Sequence, residues 1–506
     1  MQFLFVSFFI CFIAAFPVEA AETDTSQPAF LSEVLSHYSE QSDSLHRDAA
    51  RFLVENMHDH GFVAYDLKDT NDQIIAFNVL DYENLEELEA AFKELESRHG
   101  TLDFKKRELV RDDSVMTARF LVNHIDNAFR AWQSHPWAAR LSYEQFRDYV
   151  LPYRGSNEPL EAIPADFRDR LEQIAQQMTN PEDPIEAASL INQDLISWFH
   201  FDPRFYYHPT DQSLSEMMKG KLGRCEDMTN LTMYAMRACG LAVTSDFTPY
   251  WANSGNNHAW NAIVLPEGEV IPFMGAEANP RSYHLANKVA KVYRKTYAIQ
   301  KNGLAFQTDN PDSLPRYLAS RYYTDVTADY TDTRDLTLGI NAQDSSEFAY
   351  LCVFNSGEWQ PIQWGRVENG TASFIAMGVD VAYLPGLYSK DEVVPAGEPF
   401  LLTKTGEIQT LSPQMDQSVT LVLASTTGAK QQESTDSINK SSLIPGTTYE
   451  LHYWQDGWQL FGTKVAGDQQ LEFVDAPGDA LYWLIAKDSD KEERIFTWEN
   501  QTQVWW

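Results

Sequence analysis

A cysteine and a histidine in the middle of the chain have the residue types and the setting for nucleophilic chemistry. Cys225 follows two nearby glycines and opens a segment with helical periodicity that stops at Gly240. One face of this segment carries Met228, Thr232, Ala235 and Cys239. The pattern predicts a helix that begins at Cys225 and ends at Gly240. The start of a helix favours a thiolate, because unpaired N–H groups and the positive end of the helix dipole lie there, and the thiolate is the nucleophilic form of cysteine.

His258 is the candidate base for this thiol. It opens residues 258–264, whose apolar character predicts a strand. A purely structural role has to be weighed for both residues, because free cysteines are usually buried and a histidine on an apolar strand usually packs there.

The sequence around these two residues resembles the core of the transglutaminase-like superfamily. Three motifs carry the resemblance: Gly-x-Cys at residues 223–225, Arg-Ala-x-Gly at 237–240 and His-Ala-Trp-Asn at 258–261. The resemblance covers roughly residues 185–285. It implies a papain-like α+β core in which a helix carries the nucleophilic cysteine, while neighbouring strands supply a histidine and an acid. It therefore assigns the first two roles to Cys225 and His258.

The third member of the implied triad departs from the family pattern. Where the family has an aspartate after the histidine strand, this chain has Met274, and a thioether cannot orient an imidazolium. A two-residue turn at residues 267–268 would place Glu277 opposite His258, which makes Glu277 the expected third member. Asn279 has the same strand parity as Glu277 and is the second candidate, because some Cys-His sites use asparagine in this role.

These residues together predict acyl transfer through a thioester. In the expected reaction Cys225 attacks an amide carbonyl, His258 moves protons and Glu277 orients the imidazole. The resemblance favours a peptidase or amidase that acts on a peptide, protein or glycopeptide and needs no cofactor. Two alternatives stay open: a protein-glutamine transamidase, and a non-catalytic binding protein built on a degenerate core, which would explain Met274. A metal enzyme is disfavoured, because the sequence has neither an HExxH motif nor a CxxC pair.

The composition of the chain excludes some partners. Its 506 residues carry a formal net charge of −34, which repels phosphate backbones and anionic lipid, so nucleic acid is not expected as a partner. Apolar residues make up 43% of the chain, enough to build several domain cores. After the N-terminal leader, no stretch is long and apolar enough to cross a bilayer.

The first 20 residues are predicted to be a signal peptide. An apolar run ends there in Val18-Glu19-Ala20, a small-x-small cleavage pattern, so the expected location is periplasmic or extracellular. The cysteines that remain after cleavage are Cys225, Cys239 and Cys352. Cys225 and Cys239 would lie about 21 Å apart on one helix, too far for a disulfide. We therefore expect a free thiol and not a disulfide scaffold.

Helical patterns dominate the chain before the predicted core. Helices are expected at residues 30–60, 83–99, 115–132 and 142–150. Another helix is expected from Pro184 to Trp198. A capping box at Ser213 and Glu216 predicts a short helix that leads the chain to Cys225.

The last third of the chain has the pattern of β-sandwiches with an internal repeat. Phe354, Trp359, Gln360, Phe374, Asp380 and Tyr383 recur 99 residues later, without a gap, as Tyr453, Trp458, Gln459, Phe473, Asp479 and Tyr482. This repeat predicts two tandem sandwiches of one kind, which we expect to be separable from the core. Their tryptophans could serve as platforms for carbohydrate or peptide, although an aromatic residue at a fixed strand position is more often part of a core.

The expected fold class is therefore multidomain α+β. The expected domains are the signal peptide at 1–20, a helical N-terminal region at 21–150, a transglutaminase-like core at 151–310, and β-sandwich domains at 311–425 and 426–506. No metal site is expected in any of them, since the sequence offers no recognisable set of ligands.

Overall fold

The structure of this protein is a computed structural model that describes most of the chain beyond its N-terminus. The described residues are 29–39, 44–310, 313–341, 346–427, 443–467, 470–487, 489 and 493–506. The leader predicted at residues 1–20 lies outside them. Among the helices of the described ranges, none combines the length and the apolar character that crossing a bilayer requires.

Helices dominate the first half of the described chain and strands the second, so the fold is mixed α and β. The α-helices are α1 (Ala29–His37), α2 (Ser44–Glu55), α3 (Leu85–His99), α4 (Asp112–Val115), α5 (Ala118–Ser134), α6 (Tyr143–Tyr149), α7 (Ala165–Ala175), α8 (Pro184–Ile196), α9 (Leu214–Gly220) and α10 (Cys225–Ala238). Short 3-10 helices lie at Val79–Asp81, Pro203–Tyr207, Leu304–Phe306 and Thr327–Asp329.

The strands begin with a pair in the N-terminal region and continue through the core into two C-terminal β-regions. They are β1 (Gly61–Lys68), β2 (Asp103–Arg111), β3 (His200–Phe201), β4 (Leu222–Gly223), β5 (Val243–Thr248), β6 (His258–Val264), β7 (Val270–Phe273), β8 (Tyr293–Lys295), β9 (Tyr323–Asp325), β10 (Thr333–Gly339), β11 (Phe348–Asn355), β12 (Glu358–Glu368), β13 (Thr371–Gly378), β14 (Val381–Ser389), β15 (Glu392–Pro395), β16 (Phe400–Leu402), β17 (Ile408–Thr410), β18 (Gln414–Leu423), β19 (Thr448–Trp454), β20 (Trp458–Val465), β21 (Leu471–Gly478), β22 (Tyr482–Ala486), β23 (Ile495–Glu499) and β24 (Thr502–Trp505).

The N-terminal region contains a small sheet in addition to the expected helices. The helix predicted for residues 30–60 is instead the pair α1 and α2, and Gly61 opens β1 where we expected it to end a helix. β1 pairs antiparallel with β2. A Cβ at position 61 would lie 2.5 Å from the carbonyl oxygen of Val110, so glycine permits the close approach of the two strands.

The other helices predicted in this region are confirmed, with small shifts at their ends. α3, α5 and α6 overlap the predictions at 83–99, 115–132 and 142–150. Asn84, Thr117 and Ser142 cap their first turns through side-chain oxygens. Gly100 ends α3 with a φ of 82°, a positive value that glycine adopts easily.

The core sheet and α10 bring together the segments that carry the candidate residues. Five antiparallel strands lie in the order β7-β6-β5-β8-β9. Residues 225–236 of α10 are all buried, and Asn261 on β6 donates from Nδ2 to the carbonyl of Thr229 at 3.2 Å. β9 pairs with β8, so this sheet reaches beyond residue 310, where we expected the core to end.

The two β-regions have the same strand order, as the 99-residue repeat predicts. The first runs β10-β13-β12-β11-β14-β16-β17, and the second has β18-β21 beside β20-β19-β22-β23-β24. Tyr383 and Tyr482, one repeat apart, each donate from the hydroxyl to a carbonyl five residues earlier. β18 pairs with β21, so the second region begins by Gln414 and not at residue 426. The polar segment that suggested the later boundary follows β18, and its residues 428–442 lie outside the described chain.

The first hairpins of the two regions differ by one residue in register. Phe354 pairs with Trp359 in the first hairpin. The equivalent Tyr453 pairs with Gln459 in the second hairpin, because its turn is one residue longer. The repeat therefore preserves the strand order but not the pairing of this hairpin.

An aromatic cluster joins the two β-regions to each other and to the core. Its ring centroids lie 5.1–5.7 Å apart, and its members are Phe354, Trp359, Trp454, Trp458 and Trp483. The cluster continues into Phe247 and Tyr293 of the core sheet. Trp359 is only 8% exposed and Trp454 only 4%. These two tryptophans are therefore core residues and not exposed platforms.

Candidate active site

The chain reaches Cys225 through a close approach that favours glycine. A Cβ on Gly223 would lie 2.7 Å from the Cβ of Asp227. Arg224, which is 2% exposed, donates from Nη2 to Asp211 at 2.8 Å. The Asp227 carboxylate accepts the backbone N–H of Arg224 at 3.0 Å and so caps the start of α10. As the sequence predicts, Cys225 is the first residue of this helix.

Two buried acids follow Cys225, and each has a cation beside it. Glu226 is 1% exposed and forms an ion pair with Lys295 of β8. Burial raises the pKa of Glu226, and the charge of Lys295 opposes this. Burial likewise raises the pKa of Asp227, against the charge of Arg224. Because a cation accompanies each carboxyl group, less negative charge acts on the Cys225 sulfur than the two acids alone would impose.

The three described cysteines differ in their access to solvent. Cys225 is 9% exposed, whereas Cys239 and Cys352 are completely buried. Burial, followed by the charge of Glu172, raises the pKa of the Cys239 thiol to about 12. Burial also raises the pKa of Cys352. The structure therefore distinguishes a thiol at a helix start, in a residue that keeps a small exposed fraction, from two thiols that are protonated and enclosed.

His258 begins β6, and two aromatic neighbours hold its ring. The indole of Trp251 stacks on the imidazole with 5.7 Å between ring centroids and 26° between the planes. The hydroxyl of Tyr283 lies 2.9 Å from Nε2. One ring nitrogen, Nε2, is thus engaged by a side chain, and the stacked indole and the phenol together restrict the orientation of the ring.

The hairpin after His258 has a different register from the one we predicted. Ile263 pairs with Ile271 and Asn261 with Phe273, one residue away from the register that places Glu277 opposite His258. The chain then turns at residues 274–278, so the ladder stops before reaching that point. A one-residue shift is enough to change which side chain faces a partner strand.

The candidates for the third member of the expected triad occupy different positions around this turn. Met274 is 1% exposed at the end of β7. The Glu277 side chain is exposed, and in the described part of the chain it is not a hydrogen-bond partner of His258. Asn279 accepts a hydrogen bond from Asn192 of α8 at 3.1 Å, so its amide oxygen is engaged by another side chain. The role of Glu277 stays a prediction.

Tyr283 is the residue that the sequence analysis missed. It lies on an irregular segment, where neither helical nor strand periodicity gives a signal. Burial raises the pKa of its phenol, and the charges of Glu277 and Cys225 raise it further. Tyr283 therefore stays neutral and lies within electrostatic range of both groups while it contacts His258. Of the three predicted residues, His258 is the one with a hydrogen bond to this phenol in the described chain. The one hint in the sequence was Met274, because a methionine stands at the position where the family has its acid.

A comparison with known families supports this arrangement of elements. Residues 172–273, which include α8, α10 and the strands β5 to β7, match the model of the transglutaminase-like superfamily. No curated protein matches the chain at a significant level. The matched segment includes Cys225 and His258 and ends just before Met274.

Proposed function

We propose that this chain, which contains a transglutaminase-like superfamily domain, is a cysteine-dependent acyl-transfer enzyme that hydrolyses an amide or peptide bond. The observation that carries the proposal is the placement of Cys225 at the start of a buried helix, in a chain whose His258 ring is held by the Tyr283 phenol and stacks on Trp251. Cys225 is the nucleophile, His258 is the proton carrier, and Tyr283 and Glu277 support the histidine.

The proposed reaction has two halves, each with a complete proton balance. The Cys225 thiolate attacks the amide carbonyl, and the imidazolium of His258 gives its Nδ1 proton to the departing amine, which leaves a thioester. Neutral His258 then takes a proton from water as the water attacks the thioester. The acid product leaves and Cys225 is regenerated. N–H groups in the first turn of α10, which the helix ladder does not use, are suited to the developing oxyanion.

Tyr283 takes the position that an acid would occupy in a triad. When His258 carries two protons, Nε2–H donates to the phenol oxygen of Tyr283 across the observed 2.9 Å. A phenol is a weaker acceptor than a carboxylate, so the imidazolium gains less stabilisation than in a triad with an acid. We propose that the Glu277 charge compensates in part by polarising the Tyr283 hydroxyl.

Two neighbouring functions share this geometry. Transamidation uses the same thioester, with an amine in place of water as the acceptor. A non-catalytic binding protein is favoured by one observation, the buried Met274 at the position where the family has its acid. For all three functions we propose a peptide, protein or glycopeptide as the bound chain, and an exported location that follows from the predicted leader.

The experiment that tests the function is alkylation with iodoacetamide, followed by mass spectrometry of the folded full-length protein. We expect Cys225 to react at neutral pH at least about tenfold faster than Cys239 and Cys352, and His258→Ala to slow it by a similar factor. Incubation with a peptide thioester or activated ester should leave an acyl group on Cys225. Equal reaction of all three thiols, or a rate at Cys225 that does not depend on His258, would favour the binding protein.

A matched control separates reactivity from access. Cys225→Ser keeps the shape of the site and removes the thiol, so it should abolish both the fast labelling and the acyl adduct. Cys239→Ser removes a thiol that is buried just after the C-terminal end of the same helix, and it should leave the labelling of Cys225 unchanged. If added amines divert the acyl group from water, the enzyme is a transamidase.

A further inference from the structure

The loop that leads into His258 is held by side chains that lie far away in the sequence. We call residues 251–257 the histidine loop, because His258 follows it directly and Trp251 at its start stacks on the His258 ring. Its own backbone contributes only a few bonds: Trp251 N–H to the Asn256 carbonyl at 3.2 Å, and Ala252 N–H to the Lys288 carbonyl at 3.0 Å. Several carbonyls of the loop point instead towards the two β-regions.

Asn355, the last residue of β11, supplies the first of these contacts. Its Nδ2 lies 3.0 Å from the carbonyl oxygen of Trp251, and 2.9 Å from those of Ser254 and Asn256. Asn355 is 2% exposed, so these bonds form away from water. A single amide from the first β-region therefore ties both ends of the histidine loop together.

Arg494, from the second β-region, supplies the second contact. It is 1% exposed, and its guanidinium donates to the carbonyls of Ala252 at 2.9 Å and Ser254 at 3.3 Å. It also donates to the carbonyl of Trp506 at 2.7 Å, and it lies over the Phe354 ring. Main-chain oxygens of Ala252, Ser254 and Trp506 thus take up the donors of this buried guanidinium. Burial lowers its pKa to about 9.

We infer that Asn355 and Arg494 are positioning residues that fix the histidine loop and, through Trp251, the imidazole of His258. The inference deepens the proposed function and rests on it. It makes both β-regions part of the catalytic unit, since each contributes one of the two side chains. Neither residue touches the reacting atoms, and their effect passes through the loop backbone and the Trp251 ring.

The variants that test this inference are Asn355→Ala, Arg494→Ala and the conservative Arg494→Lys, all in the full-length protein. We expect Asn355→Ala and Arg494→Ala to slow Cys225 alkylation and to lower kcat by about 10- to 100-fold, with little change in KM, because misplacing a proton carrier acts on the transition state. Arg494→Lys keeps part of the donor set and should recover part of the rate. If Arg494→Ala does not fold, Asn355→Ala and Arg494→Lys carry the test.

Two readouts make the outcome independent of catalysis. Hydrogen exchange of residues 251–258 should rise in Asn355→Ala and Arg494→Ala, and the ring NMR signal of His258, assigned through His258→Ala, should shift. The control variants Asn341→Ala and Lys464→Ala change one surface residue in each β-region. They should neither raise the hydrogen exchange of residues 251–258 nor shift the His258 ring signal. Unchanged exchange and an unchanged ring signal would overturn the inference.

The same readouts distinguish failure of the inference from failure of the proposed function. If His258→Ala leaves alkylation unaffected, the proposed function fails, and the exchange and ring signals still decide whether the two residues position the histidine. If His258→Ala slows Cys225 alkylation but Asn355→Ala and Arg494→Ala do not, the function stands and the positioning role is wrong.

Discussion

The hydroxyl of Tyr283 is the single atom whose removal best tests the arrangement around His258. Tyr283→Phe keeps the ring and deletes the hydrogen bond to Nε2. One hydrogen bond contributes roughly 1 kcal/mol, so we expect turnover and Cys225 alkylation to fall by about fivefold while the fold is retained. Comparing rates with circular dichroism and thermal unfolding of the same samples checks this.

Glu277→Gln is the companion variant, because it removes a charge without removing volume. If Glu277 acts through Tyr283, Glu277→Gln should lower turnover by a smaller factor than Tyr283→Phe does. A loss of several orders of magnitude would mean that the carboxylate contacts the histidine directly, as in a triad with an acid. The two variants together thus decide which side chain orients the ring.

The candidate site could be predicted from the sequence only where local pattern determines position. Cys225 and His258 lie on a helix and a strand whose periodicity fixes their places. Glu277 depended on counting residues around a hairpin, and one residue of register moved it out of the ladder. Tyr283 comes from an irregular segment that tertiary packing alone brings to the histidine.

At the scale of elements, the ion pair between α10 and β8 is a site of concentrated stability. Lys295→Met leaves the Glu226 carboxylate buried without a cation, and losing one partner of such a pair costs about 3–5 kcal/mol. Burial already raises the pKa of Glu226, and it will do so without opposition in the variant. The folded state then binds a proton more readily than the unfolded state, so the loss should shrink as the pH falls. Urea unfolding at pH 7 and pH 5 measures both effects.

An exposed ion pair provides the control for that experiment. Arg140 and Glu267 are each more than half exposed, so Arg140→Met should change stability by less than about 1 kcal/mol at either pH. Glu226→Gln combined with Lys295→Met should restore most of the loss. A Lys295→Met protein as stable as the wild type would show that water reaches Glu226.

The helical region contains a group that makes the fold sensitive to acid. Burial lowers the pKa of His124 to about 4, although its Nε2 lies 2.6 Å from the Leu151 carbonyl. Unfolded, it takes up a proton near its ordinary pKa of 6.5, so acid favours the unfolded chain between these two values. Protonation of His124 in the unfolded chain should therefore lower the free energy of unfolding by up to about 3 kcal/mol between pH 7 and pH 4. His124→Gln should flatten that part of the pH profile, and His37→Gln, at an exposed position, should not.

Helix ends were the elements that sequence reasoning placed best, because a cap is a local hydrogen bond. Asn84, Thr117 and Ser142 cap the helices near which we expected boundaries. β1 and β2 were missed because β2 is largely exposed and charged, so it lacks the alternation that marks a half-buried strand. Pairing between residues 61–68 and 103–111 is a long-range contact that no local pattern reveals.

For the whole molecule, the shared aromatic cluster predicts cooperation between the β-regions, where the repeat alone suggested separable domains. Trp454 belongs to the second region but packs on Trp359 of the first, in the hydrophobic cluster that contains Cys352. Trp454→Ala should therefore destabilise the first region as well, by about 3–5 kcal/mol. Labelling of the buried Cys352 thiol in mild denaturant reports on that region.

A second tryptophan gives the matched control for this prediction. Trp498 packs against the hydrophobic cluster of the second region. Trp498→Ala should destabilise that region, but it should accelerate Cys352 labelling less than Trp454→Ala does. Equal Cys352 labelling in the Trp454→Ala and wild-type proteins would mean that the regions unfold independently, as the sequence first suggested.

The one-residue difference between the two first hairpins affects how the strands find their partners during synthesis. Adjacent repeats of similar sequence are prone to exchange strands while the chain is being made. A wrong hairpin could form between β11 of the first region and β20 of the second. It would have to combine two pairings that differ by one residue in register, that of Phe354 with Trp359 and that of Tyr453 with Gln459. Such a slip turns alternate side chains to the wrong face of the sheet. The mismatch therefore disfavours swapped pairing and protects the tandem repeat against misassembly.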